Sequence, residues 1–99
     1  MPLYVLALIK IVDRDEYDRY SQGFIDLFQR SQGVKILAAD ESPVALEGEW
    51  DGRKAVILEF ADKAAYEAFM LFDEYQRISV QRRAGTEGVM LLVQGLGLN

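Results

Sequence analysis

The chain has 99 residues, enough for one domain (residues 1–99) with a single core, and its 51% hydrophobic and 27% charged content is that of a globular protein. Sixteen acidic against eleven basic residues give a net charge of −5, which argues against general binding to nucleic-acid phosphates or to an anionic membrane. Cysteine and histidine are both absent. That excludes disulfides, thiolate nucleophiles, Cys/His metal sites and imidazole acid–base chemistry, and leaves carboxylates, tyrosines, lysines and water to move protons.

In chain order, residues 3–12 (LYVLALIKIV) read as a strand, too short and too rich in β-formers for a buried helix or a membrane span. No secretory signal is evident, so the cytoplasm is the expected location. Asp13 and Glu16 have capping-box spacing, and Tyr17, Tyr20, Phe24, Leu27 and Phe28 share one stripe, which predicts a helix over 14–32 ended near Gly33. Val34–Ala39 predicts a second strand, followed by a turn at Asp40–Pro43. Val44–Trp50 and Lys54–Phe60 predict a hairpin closed by Asp51-Gly52. Asp62 caps a predicted helix with Ala65, Tyr66, Phe69 and Met70 on its apolar face, and Asp73 with Gln76 restarts helix to about Arg83. Gly85 and Gly88 bracket an expected turn before a last strand, Val89–Gln94.

This order predicts an α+β, ferredoxin-like fold: an antiparallel sheet with helices on one face. Strand alternation leaves the second face apolar, with Leu6, Leu8, Leu37, Ile57, Met90 and Leu92 assigned to it. Each such side chain left in water forfeits roughly 1.5–3 kcal/mol of burial. A second copy packed face to face removes that cost, so a homodimer forming an α+β barrel is expected, with a space between sheet and partner.

The polar interruptions of that face, Lys10, Lys35, Glu59 and Gln94, are candidates to line a small-molecule pocket there. Glu59 is the candidate acid or base, because burial favours the protonated carboxyl; an ion pair with Lys10 or Lys35 is its structural alternative. Glu47 either lines the pocket or ends its strand. Arg82 and Arg83 complement a helix C-terminus, and as a pair they suit a ligand carboxylate or phosphate, Arg83 being the candidate contact. Trp50 and Tyr75 are candidate pocket walls, whereas Tyr17, Tyr20 and Tyr66 read as core. Asp13, Asp15 and Asp18 read as capping carboxylates, so no metal site is expected. No phosphate-loop pattern occurs.

Several blocks recur in order: Asp13 to Tyr20, Leu46-Glu47-Gly48-Glu49-Trp50, Ile57-Leu58-Glu59-Phe60, Asp73-Glu74-Tyr75-Gln76, Arg82-Arg83-Ala84 and Val93-Gln94-Gly95. Together they resemble the bacterial family called domain of unknown function 1330, over nearly the whole chain. The resemblance implies the dimeric α+β barrel superfamily, whose members include cofactor-free monooxygenases, small decarboxylases and isomerases, and proteins that only bind. It implies two functional readings. One is a cofactor-independent enzyme acting on a small organic molecule, with no cofactor required; the other is a non-catalytic small-molecule-binding or assembly protein. Members of the family often carry a polar residue, commonly His, where this chain has Leu8, so proton chemistry at that position is unavailable here.

Overall fold

The structure is a computed structural model and describes residues 1–96. Its elements are β1 (Leu3–Ile11), α1 (Arg14–Gln29), β2 (Val34–Asp40), β3 (Lys54–Phe60), α2 (Lys63–Met70), α3 (Asp73–Gly85) and β4 (Thr86–Gln94). The strands form one antiparallel sheet in the order β2-β3-β1-β4, the ferredoxin-like arrangement expected from the element order. No helix among the described residues is long and apolar enough to cross a membrane.

Local chemistry sets the helix ends. The Asp13 carboxylate accepts from the Glu16 amide at 3.2 Å, while the Glu16 side chain turns outward to Arg19 at 2.6 Å, so half of the expected capping box forms. Asp62 caps α2 by accepting from the Ala65 amide at 2.8 Å. The α2–α3 junction differs from expectation. Asp73 is the first helical residue, Phe72 occupies the cap position without a side-chain bond, and Gln76 Nε2 instead donates to the Met70 carbonyl at 2.6 Å. One glutamine thus satisfies an orphan carbonyl at the end of α2 and ties the two helices together.

Two strand expectations need correction. Residues 41–53 form an extended loop rather than a strand and hairpin arm, with Leu46 95% exposed and no ladder partner for Val44–Trp50. β-forming composition yields a strand only where a neighbouring strand supplies ladder partners, and this segment, interrupted by positive φ at Gly48 and Gly52, has none among the described residues. The last strand begins at Thr86, directly after α3, without the turn expected between Gly85 and Gly88.

The helices cover one face, where Val5, Ala7 and Ile9 of β1 and Leu58 and Phe60 of β3 meet Tyr17, Tyr20, Phe24, Leu27, Phe69 and Tyr75. Phe60 is fully buried and contacts Tyr66 edge-on at 5.5 Å between ring centres. Phe24, Phe69 and Tyr75 form a further aromatic cluster with centroids 5.5–6.5 Å apart, within the favoured range for edge-to-face rings.

Pairing register settles which side chains face the helices. Leu3, Val5 and Ala7 stand opposite Gln94, Leu92 and Met90, so these three β4 residues belong to the helical side. The open side carries Val93, Leu91 and Val89, opposite Tyr4, Leu6 and Leu8. The expected placement of Met90, Leu92 and Gln94 is therefore reversed, since alternation separates a strand into two sets without naming which set points inward. Leu37 is the extra residue of a β2 bulge between Ile36 and Ala38. The open side nevertheless remains largely apolar, through Leu6, Leu8, Ile57, Val89, Leu91 and Val93.

Gly88 has φ of +152°, and a Cβ there would collide with the Leu8 carbonyl oxygen and lie 2.9 Å from Ile9 Cα. Gly88→Ala is expected to lower unfolding free energy by at least about 2 kcal/mol in urea denaturation, through strain and steric conflict in the β1–β4 ladder. An unchanged midpoint would mean that β4 pairs differently.

Candidate functional site

Small side chains and one close helix contact leave a space inside the domain. At Gly23 of α1 a Cβ would lie 3.0 Å from Ile78 Cγ2 of α3, so α1 packs tightly on α3. The end of α3 is likewise pinned to the start of α1, with the Val12 and Asp13 amides donating to the Gly85 carbonyl at 2.8 and 3.1 Å. Beneath these helices lies a cavity of about 140 Å³. Its floor is Val5, Ala7 and Ile9 of β1, Val56 and Leu58 of β3, and Met90 of β4. Tyr17, Tyr20, Ser21 and Phe24 of α1 and Tyr75 and Arg82 of α3 form the roof. Ile25, Ile36 and Ala39 are solvent-exposed and mark the open side, towards β2.

The polar groups of this cavity are hydroxyls and cations. Lys54 Nζ donates to Tyr17 Oη at 2.9 Å and lies 4.9 Å from the centre of the Tyr17 ring. Tyr20 Oη and Tyr75 Oη are 3.3 Å apart. Burial pushes the Tyr20 hydroxyl well above the usual tyrosine range, the neighbouring Tyr75 adds to this, and Arg82 opposes it without reversing it. Tyr20 is thus held neutral. Arg82 Nε is buried with no hydrogen-bond partner among the described residues.

Of the candidates named from the sequence, Tyr75 and, from the Arg82–Arg83 pair, Arg82 line this cavity, and the others do not. Glu59 is half-buried on the opposite face, with Tyr4 and Lys35 as its cross-strand neighbours. Lys10, exposed, stands opposite Glu87. Among the described residues neither Lys35–Glu59 nor Lys10–Glu87 closes to an ion pair. Glu47 is exposed in the 41–53 loop. Trp50, in the same loop, donates from Nε1 to the Arg53 carbonyl at 3.0 Å and lies under the Arg53 guanidinium, 5.0 Å from its ring centre. Gln94 ends β4, and Arg83 is exposed.

Among the cavity residues, Lys54 was missed, Tyr17 and Tyr20 read only as core, and Arg82 was expected only as the partner of Arg83 in the arginine pair. Two carried a signal. Lys54 shares the inward parity of Val56, Leu58 and Phe60, an odd place for a lysine, and Arg82 follows Tyr75 and Ser79 at i+7 and i+3 spacing on one helical face. Arg83 is turned about 100° away from that face.

The four-stranded antiparallel sheet with helices on one face defines a ferredoxin-like α+β domain. The family described as Domain of unknown function (DUF1330) matches residues 2–96, and the chain belongs to it. No curated protein matches the sequence at a significant level. Among solved structures, a protein of unknown function from Rhodopseudomonas palustris is similar with a TM-score of 0.71 and 19% identity, covering 99% of this chain and 83% of that one. A dimeric ferredoxin-like protein of unknown function from Jannaschia sp. CCS1 gives 0.68 and 22%, covering 94% and 96%. SnoaB, a cofactor-independent oxygenase from Streptomyces nogalater, gives 0.65 and 14%, covering 98% of each chain. These likenesses establish the shared fold.

The raised Tyr20 hydroxyl makes stability pH-dependent. In the unfolded chain it ionises near its ordinary value of 10.0, whereas the folded protein holds the proton beyond that. Above that pH the unfolded state binds fewer protons, so the contribution is complete below about pH 10 and is lost as pH rises. Urea midpoints measured from about pH 8 to about pH 11 should fall for the native protein and fall less steeply for Tyr20→Phe. Parallel slopes would assign the alkaline loss to another group.

Proposed function

We propose that this protein is a cofactor-independent enzyme, of oxygenase, isomerase or decarboxylase type, acting on a small organic molecule in the cavity between its helices and sheet. The observation that carries this reading is the Lys54–Tyr17 contact inside a cavity with a mainly apolar floor. Such reactions share a step in which negative charge gathers on a substrate oxygen, as an enolate when a C–H or C–C bond breaks or as a phenolate when an O–H proton leaves, any released proton passing to water. A pre-positioned donor in a water-poor site stabilises that charge. The Tyr17 oxygen already accepts from Lys54, so its own proton is free for the cavity, and the ammonium behind it supports proton delivery. With no histidine or cysteine in the chain, this tyrosine–lysine couple is the natural proton carrier. SnoaB, which shares the fold, is a cofactor-independent oxygenase, and that similarity supports cofactor-free chemistry. We assign the chemistry to Tyr17 and Lys54 rather than Glu59, because a role for Glu59 requires a space enclosed by a second copy. Non-catalytic binding in the same cavity is the competing reading.

The test is turnover by chelator-dialysed protein with a panel of small enolisable keto acids and hydroquinones, followed by proton NMR and an oxygen electrode. At least one compound should turn over, and Tyr17→Phe and Lys54→Met should each lower kcat by about 100-fold. Binding without turnover across the panel would favour the non-catalytic reading.

We further propose that two copies pack through the open sheet face. The Jannaschia protein is dimeric, and on this chain Val89, Leu91 and Val93 are each 42–48% exposed beside Leu6, Leu8 and Ile57. Sedimentation should give a dimer for the native chain and a monomer for Ile57→Glu/Leu91→Glu, since a buried unpaired charge opposes association. A native monomer at micromolar concentration would remove this interface.

A further inference from the structure

We infer that the cavity is a binding site for a small monocarboxylate with an apolar body of about one aromatic ring, its carboxylate held by Arg82 and Lys54 and its body laid against Phe24, Val56 and Met90. This rests on the reading that the internal cavity is the working site, and it adds the class of molecule held there.

The cation inventory points this way. Arg14 pairs with Glu41 at 2.8 Å, Arg19 with Glu16 at 2.6 Å, Arg30 with Glu74 at 2.7 Å and Arg53 with Asp51 at 2.9 Å. Lys10, Lys35, Lys54, Arg77, Arg82 and Arg83 meet no carboxylate among the described residues, and of these Arg82 and Lys54 line the cavity, although the chain has sixteen acidic residues for eleven basic ones. Shortage of acids does not explain two free cations at one cavity, and none of the residues lining it is acidic. The remaining polar groups are hydroxyls, which can donate to the same anion. Arg82 Nε is buried without a partner, a desolvated donor that an incoming acceptor would satisfy.

Geometry and size narrow the class. A guanidinium matches a planar carboxylate, and one arginine with one lysine among apolar walls suits a monoanion better than a phosphate dianion, whose further oxygens would meet carbon. The volume of about 140 Å³ is close to that of the roughly 150 Å³ engineered apolar cavity that takes up benzene. A second groove beside Leu27 and Phe72, larger at about 260 Å³, lacks this character, because its arginine, Arg30, is already neutralised by Glu74.

The test uses sodium benzoate, benzyl alcohol and sodium acetate as probes, with calorimetry for affinity and Met90 methyl NMR for location. Benzoate should saturate and shift the Met90 signal, while benzyl alcohol, lacking charge, and acetate, lacking a ring, bind at least about tenfold more weakly. Arg82→Gln should weaken benzoate by about tenfold or more and leave benzyl alcohol unchanged, Arg82→Lys should retain part of the affinity, and Arg83→Gln should match the native protein. Benzoate binding no tighter than benzyl alcohol, or unaffected by Arg82→Gln, overturns the inference. Should Arg82→Gln fail to fold, the benzoate-to-alcohol ratio on the native protein and Arg82→Lys decides the matter. Tyr17-dependent turnover of neutral compounds in preference to anions would overturn the carboxylate site while preserving the enzyme reading. Benzoate binding with no turnover by the native protein would preserve the site and remove the enzyme.

Discussion

Strand β1 is hydrogen-bonded along both edges, to β3 and to β4, and the parity of those two ladders governs nearly everything else in the molecule. It sends Val5, Ala7 and Ile9 toward the helices and Tyr4, Leu6 and Leu8 away from them. Because each neighbouring strand must match that parity, Met90 and Val56 are committed to the cavity, and Val89, Leu91 and Ile57 to the open face. A slip by one residue would exchange the two surfaces.

The helical layer translates that parity into a site. Tight α1–α3 packing through Gly23 and Gly85 holds Tyr17, Tyr20, Tyr75 and Arg82 together over the floor, while Ala7, Ala39 and Ser21 are too small to fill the space below. Larger side chains at those positions would close the cavity into ordinary core. Lys54 enters from the first position of β3, where the strand emerges from the 41–53 loop, so its ammonium reaches Tyr17 without being sealed deep in the interior. The site is thus a region where core packing is left incomplete and the vacancy is edged with positive charge, in a chain that is otherwise net negative.

Much of the fold was legible in the chain. The aromatic stripe of α1, the aspartate caps at Asp13 and Asp62, and the strand composition of β1 and β3 act locally, over a few residues, and led to the correct elements and the ferredoxin-like order. The 41–53 loop was not legible, because β-propensity needs a neighbouring strand to supply ladder partners and local composition does not report one. The cavity was missed for a related reason: Tyr17 and Tyr20 have the spacing of core residues and are indeed buried, and spacing does not reveal that the volume beside them is unfilled.

By itself, the sequence determined the class of the fold, the apolar character of both sheet faces, and the absence of imidazole and thiol chemistry, since these follow from composition and short-range periodicity. Only the tertiary structure decided that Lys54 and Arg82, 28 positions apart along the chain, edge the same cavity, that Arg82 rather than Arg83 faces it, and that Glu59 lies on the other side of the sheet. Those outcomes depend on ladder register and on how far two helices approach each other, and both are set by contacts between residues distant in sequence.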